Sequence, residues 1–228
     1  LDGDGFLDVF VANNGANEVW TNDGDGTFTL LWISPNSTDS RAVALGDLNG
    51  NGYLDAFVAN NGENEIWFNN GDGTFTNSGQ SLGIADSTDI ALGDLNGDGH
   101  LDAFVANFGS NKIWFNDGNG IFSETQSTTS YNSNGVALGD INGDGYLDAF
   151  VANSGVNEAW INNGSGSLTP FWTSPNSRTS YGVALGDLNG NGILDAFVVN
   201  GNAINEIWIN SGSGSFTDSG QAIGGTIW

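Results

Sequence analysis

Segments of the form Asp-x-Asn-x-(Asp/Asn)-Gly-x-Leu-Asp recur along this chain and put an oxygen-bearing side chain at every second position. Oxygens spaced this way in a tight loop converge on one point, and the Gly after the third of them permits the sharp turn. The chemistry is that of a hard divalent cation such as Ca²⁺, which gathers about 6–8 oxygen ligands. The seventh position then offers only its backbone carbonyl, so its side chain is free to vary: Phe6, Tyr53, His100, Tyr146 and Ile193 occupy it. The ninth position closes each loop with an Asp that can offer both oxygens.

The candidate ligands of the first complete loop are Asp47, Asn49, Asn51, the Tyr53 carbonyl and Asp55. Those of the next are Asp94, Asn96, Asp98, the His100 carbonyl and Asp102. Asp140, Asn142, Asp144, the Tyr146 carbonyl and Asp148 follow, then Asp187, Asn189, Asn191, the Ile193 carbonyl and Asp195. A partial loop at the start keeps Asp2, Asp4, the Phe6 carbonyl and Asp8. The expected cofactor is therefore Ca²⁺ in four complete loops and a fifth partial one. Metal-free turns held by Asx hydrogen bonds are the simpler alternative, and five such loops in phase weigh against it.

The charge balance points the same way. The chain has 228 residues, with 27 Asp plus Glu against 3 Lys plus Arg and a net charge of −24. Of those acids, 13 lie in the five loops, and five Ca²⁺ ions would bring the charge to −14. So few cations exclude a nucleic-acid partner, because phosphates are neutralised by Lys and Arg. They also argue against docking on anionic membranes, and no apolar run is long enough for a membrane-spanning helix. Cysteine is absent, which rules out disulfides, thiolate metal sites and a Cys nucleophile.

The elements that position the loops are read from their repetition. The closing aspartates Asp8, Asp55, Asp102, Asp148 and Asp195 are spaced by 47, 47, 46 and 47 residues, and a Trp keeps the same register at 20, 67, 114, 160 and 208. The repeats run approximately over 1–41, 42–88, 89–134, 135–181 and 182–228. Each holds four short runs rich in Val, Ile, Phe and Trp, separated by Gly/Asn/Asp turns. In the second repeat these are Ala42–Leu48, Leu54–Ala59, Glu65–Asn69 and Thr74–Asn77. The second run is apolar on both faces, as a blade sandwiched between neighbours requires. The fold class is all-β: a β-propeller of four-stranded antiparallel blades in one domain. Five repeats are visible, and the sequence leaves open a ring of five or a piece of a ring of seven.

The loops, the Phe-Val-Ala-Asn strands such as Phe57–Asn60, and the Asn-Asp-Gly-Asp-Gly-Thr-Phe turn at 22–28 together resemble the FG-GAP/VCBS repeat family of integrin-α-like calcium-binding propeller blades. The resemblance covers the whole chain. It implies a calcium-binding β-propeller, often of seven blades, with extracellular roles in adhesion or glycan binding. The chain departs from the pattern in having five repeats and only four copies of the first strand.

The remaining residues admit fewer readings. The third-strand tryptophans are expected to pack between blades, and the Asn22–Gly26 turn is explained by hairpin geometry. His100, the sole histidine, sits in a calcium loop, so no catalytic triad can be assembled around it, and the chain is not expected to be an enzyme. Trp32 and Trp172, each followed by Ser-Pro-Asn-Ser or its near match, are expected on a ligand face with Asn36 and Asn176. That face should lie opposite the calcium loops, because hairpin turns alternate ends in an antiparallel blade. The expected partner is a glycan or an extracellular protein, and the expected location is secreted or at the cell surface. A structural stretch of a larger surface protein, or the non-catalytic propeller of a polysaccharide-degrading enzyme, are the alternatives.

Overall fold

A computed structural model describes residues 1–128, 131–201 and 203–224. Every regular element among them is a β-strand. The second blade consists of strands Thr38–Gly46, Asp55–Glu63, Glu65–Asn69 and Phe75–Asn77, paired antiparallel in chain order. The third blade repeats this with Ile84–Gly93, Asp102–Gly109, Lys112–Asn116 and Phe122–Ser127. The fourth begins at Tyr131 and the fifth at Arg178. The first blade has three strands in one sheet, Val9–Val11, Glu18–Asn22 and Phe28–Ile33. The chain is thus an arc of propeller blades. The first strands of successive blades touch one another, which sets them along the axis of the arc.

The first and second strands are both longer than the apolar runs suggest. In the second blade, Ala42–Leu45 pair with Ala59–Ala56 of the same blade. Beyond Asn60 the second strand crosses over, and Asn61–Glu63 pair with Asp86–Ile84 at the start of the third blade. Phe108–Gly109 with Tyr131–Asn132, and Ser154–Gly155 with Arg178–Thr179, repeat this handover. Hydrophobic pattern alone misses it, because the crossing residues, polar at Asn61–Glu63 and exposed at Ile84, Phe108 and Tyr131, satisfy backbone groups rather than bury side chains.

The core lies between blades. Phe57, Ala59 and Ile66 of the second blade pack on Ala103, Val105, Trp114 and Phe122 of the third. Ala56 and Val58, on the other face of the same strand, pack on Phe10 and Val19 of the first. Three of the four joints carry an aromatic contact in edge-on geometry, as ring quadrupoles prefer: Phe10–Phe75 at 5.4 Å, Phe57–Phe122 at 5.4 Å and Phe150–Phe216 at 5.2 Å between centroids; in the remaining one Leu168 packs with Phe104. Trp67, Trp114, Trp160 and Trp208 are buried in these joints, which is the packing role the sequence suggests for them.

Trp32 and Trp172, expected on a ligand face, take part in the packing between blades. Both are in fourth strands, and both are half-buried in an inter-blade joint. Trp32 meets Trp67 at 5.2 Å and Phe75 at 5.5 Å; Trp172 meets Trp208 at 5.1 Å and Phe216 at 5.2 Å. A bulge in the third-to-fourth strand pairing turns each indole inward, since Val19 pairs with Trp32 while Trp20 pairs with Leu30. One extra residue in a strand shifts the face its side chain presents, and the sequence carries no mark of it. At the matching joints the gap is spanned by glutamine. Gln126 donates to the Leu168 carbonyl at 2.6 Å and accepts from its N–H at 3.0 Å. Gln80 does the same between Gly120 (2.5 Å) and Phe122 (2.9 Å).

Candidate metal centre

Each acidic loop joins the first and second strands of its blade, and the third-to-fourth turn lies beside it. In the second blade a Cβ placed on Gly71 would fall 2.7 Å from the Tyr53 ring, so the seventh-position side chain lies flat on the turn glycine. His100 lies on Gly118 and Tyr146 on Gly164 in the same way. The varied seventh position therefore has a packing duty that the sequence does not announce. These glycines also have positive φ, 90° at Gly71, which only glycine adopts without strain.

Within the loop, the side chains organise the backbone. Asp47 accepts from Asn51 N at 3.0 Å and Gly52 N at 2.9 Å. Asn49 accepts from Asn51 N at 3.0 Å, and Asn51 accepts from Tyr53 N at 2.8 Å. The third loop is built on the same plan with one bond more: Asp94 accepts from Gly97, Asp98 and Gly99, and Asp98 accepts from His100 N at 2.9 Å. Asp140, Asn142 and Asp144 repeat this around Tyr146, and Asp187, Asn189 and Asn191 around Ile193. Consecutive Asx turns hold the loop curled, with its oxygens displayed on the exposed side.

The ninth-position Asp is different, being fully buried at Asp55, Asp102, Asp148 and Asp195. Asp55 accepts from Leu48 N at 3.0 Å through one oxygen and from Asn69 N at 2.8 Å through the other. It ties the loop to the end of the third strand, and each oxygen keeps one lone pair for a cation. Closure through both oxygens, as the sequence suggests, competes with these two bonds. Burial pushes the Asp55, Asp102 and Asp148 carboxyls above the ordinary range, and their loop neighbours Asp47, Asp98 and Asp144 push the same way. These are acids short of positive charge. Leu1 occupies the place of Leu48, its nitrogen bonded to Asp8 as Leu48 N is to Asp55.

The carboxylates of Asp2, Asp4 and Asp8 have oxygens all within 4.8 Å of one another. In the other loops an Asn at the third position, and in two of them at the fifth, takes the place of a carboxylate. All five donor sets are oxygen-only, anionic and partly desolvated, which fits a hard cation such as Ca²⁺ and no soft one.

A buried asparagine also belongs to this end of the blade. Asn69, Asn116, Asn162 and Asn210 close the third strands. Asn116 donates to the Leu48 carbonyl of the preceding blade at 2.8 Å and to the Leu101 carbonyl of its own at 3.2 Å. Its Oδ1 accepts from Gly118 and Gly120 in the turn, at 3.1 Å each. Asn69, Asn162 and Asn210 reach Leu1, Leu95 and Ile141 likewise. One amide thereby fastens two loops, a turn and a neighbouring blade. Its strict recurrence in the sequence is the signal that could have shown this, but hairpin geometry accounted for it.

At the opposite end of the blades, Asn36 donates to Glu65 across the joint, while Asn176 is exposed. A polar concavity of about 280 Å³ opens there, lined by Glu63, Glu65, Asn77, Gln80 and Ser81. The three cations of this end are engaged: Arg41 with Asp86, Lys112 with Glu124 at 2.6 Å, and Arg178 with Glu206 at 2.8 Å.

Oxygen-lined loops at one end of four-stranded blades define a class of acidic-loop β-propeller repeat. The FG-GAP-like repeat profile matches residues 1–58, 47–105, 94–151 and 140–198. The chain belongs to that family. No curated protein sequence matches it. Among solved structures it is similar to an Agrocybe aegerita lectin that recognises non-reducing terminal N-acetylglucosamine, at 23% identity and a TM-score of 0.59, covering 95% of this chain and 62% of the lectin. It is similar to the V. cholerae biofilm matrix protein Bap1, at 21% identity and a TM-score of 0.61, over 94% of this chain and 36% of that one. A Lactobacillus plantarum protein matches at 18% identity with a TM-score of 0.68, over 95% of this chain and 67% of that one. At these identities the likeness is one of fold. The chain spans 62% of the length of the lectin. Among the described residues no helix is long and apolar enough to cross a membrane.

Proposed function

We propose that this chain is a calcium-stabilised propeller module that binds glycans outside the cell and has no catalytic activity of its own. The observation that carries the reading is the repeated loop in which Asx turns present uncompensated oxygens above a buried, raised carboxyl. Bound Ca²⁺ would supply the missing positive charge and cross-link the loop. Asp47, Asn49, Asn51, the Tyr53 carbonyl and Asp55 would hold it in the second blade, and the equivalent residues in the others. The chain's own part is to keep these oxygens curled together and to tie them, through Asp55 and Asn69, to the blade framework.

The glycan reading rests on the other end of the blades. Carboxylates and amides around the concavity at Glu63 and Gln80 are suited to the hydroxyls of a sugar. The similar lectin recognises non-reducing terminal N-acetylglucosamine, and the other is a biofilm matrix protein; both are in keeping with this use of the fold. A protein ligand is the second reading, favoured by the same exposed polar turns. Against catalysis stands the position of His100, exposed on a loop against Gly118.

A glycan array probed with labelled protein in Ca²⁺ and in EDTA is the test. Calcium-dependent retention on sugars supports the proposal. Tight Ca²⁺ uptake with no retention on any glycan leaves a structural repeat, and the ligand-binding reading fails.

A further inference from the structure

Six Asn-Gly pairs lie in the four complete loops, beginning at Asn49, Asn51, Asn96, Asn142, Asn189 and Asn191. An asparagine before a glycine has a chemistry of its own. The nitrogen of the following residue attacks the side-chain carbonyl carbon, and a five-membered imide forms. Glycine permits this best, because it has no Cβ to crowd the approach. The attacking nitrogen must turn toward the side chain and give up its proton, so a hydrogen bond that already holds that N–H stands in the way.

Five of the six pairs are held in this manner. Gly52 N donates to Asp47 at 2.9 Å, Gly97 N to Asp94 at 2.7 Å and Gly143 N to Asp140 at 2.7 Å. Gly190 N and Gly192 N each donate to Asp187 at 2.8 Å. Gly50 N donates to nothing among the described residues, where Asp47 accepts from Asn51 N and Gly52 N alone. The amide that would depart differs as well. Asn96 and Asn142 donate through Nδ2 to Asp98 at 2.9 Å and Asp144 at 2.8 Å, whereas the Nδ2 of Asn49 donates to nothing among the described residues. Its Oδ1 accepts from Asn51 N at 3.0 Å, which draws electrons from the carbonyl carbon and holds the side chain back on its own loop. Gly50 is exposed, so water reaches the pair.

We propose that Asn49 is a self-modification site, at which the second blade's loop deamidates and gains a carboxylate. Gly50 N bonds to Cγ of Asn49, the Cγ–Nδ2 bond breaks, and ammonia leaves with the proton from Gly50 N. One water then opens the imide. Opening at Cγ gives aspartate, and opening at the main-chain carbonyl carbon of residue 49 gives isoaspartate. The exchange of water for ammonia needs no other reactant. The first loop shows that aspartate fits: Asp2 stands at the matching position and accepts from Asp4 N at 3.1 Å, as Asn49 does from Asn51 N. The aspartate product carries three carboxylates, the count of the loops around Asp98 and Asp144. The isoaspartate product lengthens the backbone by one atom and loses the turn.

The test is ageing of the purified chain, its fold checked by circular dichroism, in warm and mildly alkaline buffer, with peptides followed by mass spectrometry. The peptide holding Asn49 should gain the mass difference between Asn and Asp at least tenfold faster than those holding Asn96, Asn142 or Asn189. Fragmentation should place the change at residue 49 and leave Asn51 intact, and part of the product should be isoaspartate. In urea the six pairs should react at like rates, because the selectivity belongs to the fold. Asn49→Gln, whose longer side chain would have to close a six-membered ring, should hold that peptide's mass constant. An Asn49 that stays intact while other pairs react overturns the proposal. So do equal rates in the folded chain, or a ranking that urea leaves unchanged.

Discussion

The Nδ2 of Asn116 sits 2.8 Å from the carbonyl oxygen of Leu48, a residue of the preceding blade's acidic loop. This bond couples the loop that would carry a cation to the framework of the next blade. Asn116→Ala strips acceptors from Gly118 and Gly120 and donors from Leu48 and Leu101, the bonds to Leu48 and Gly120 being buried and the other two partly so. Leaving buried polar groups unpaired costs about 1–3 kcal/mol for each one that water cannot reach. The expected result is a loss of at least about 2 kcal/mol in urea unfolding. An unchanged midpoint would mean that the latch is incidental.

Loops with three carboxylates should hold Ca²⁺ more tightly than those with two. Asp98→Asn keeps an oxygen to accept from His100 N and so preserves the turn, while removing one charge. Calorimetry should then show one site weakened among the rest, with affinities at or tighter than the ~10⁻⁴–10⁻³ M of extracellular modules. EDTA should lower the melting temperature of the wild-type chain, because a metal bound only by the folded state stabilises it by mass action. Identical titrations for Asp98→Asn and wild type would remove that loop from the set.

Trp32→Ala should act through stability. Its indole fills the joint against Trp67 and Phe75, and emptying such a site costs about 3–5 kcal/mol. A variant as stable as wild type that no longer binds glycan would restore Trp32 to the ligand face and refute the packing role.

Lys112 stands where Glu18, Glu65 and Glu158 accept from the indole N–H two residues on, at 2.9, 3.1 and 3.3 Å. A lysine cannot accept, and Trp114 Nε1 is buried without a partner. Lys112→Gln provides an acceptor and can still donate to Glu124. It should raise stability by about 1 kcal/mol, the net worth of a satisfied hydrogen bond. A lower urea midpoint would show that the Lys112–Glu124 pair, at 2.6 Å, matters more.

Asp89 occupies an axial position that is Ala42, Gly135 and Gly182 in the other blades. Burial raises its carboxyl above the ordinary value of 3.8, only partly offset by the N–H groups of Val136 and Ile90. The folded state therefore holds this proton more tightly than the unfolded chain does. Stability falls as pH rises through the window between 3.8 and the raised value, and the penalty persists at neutral pH. Asp89→Asn keeps an acceptor for Val136 N and removes the charge. It should be the more stable protein at neutral pH, with the gap closing on acidification. A gap that is constant with pH would locate the effect elsewhere.

Much of this architecture is legible in the sequence because the repeat multiplies weak local signals. The strands around Phe57 and Phe104, the acidic loops and the buried tryptophans all follow from spacing and side-chain type. What escapes is whatever depends on a neighbouring blade. The crossover at Asn61–Glu63 is polar, the bulge beside Trp32 has no sequence mark, and the amide of Asn69 looks like a turn residue until its partner is in view. Trp32 shows the same limit: a residue absent from most repeats reads as special, and its contacts make it one of two ways, with Gln80 and Gln126, of filling the same gap.

The Asn-to-carbonyl latch has a consequence for how such chains change length. Because Asn69, Asn116, Asn162 and Asn210 all reach the same position of the loop before them, the partner of any latch is defined by its place in the repeat and not by its identity. Copying or deleting a stretch from one Asp55-type aspartate to the next leaves every surviving latch with a correct mate. For this latch, then, a tandem duplication of one blade requires no compensating substitution, because each copied Asn meets the same loop position.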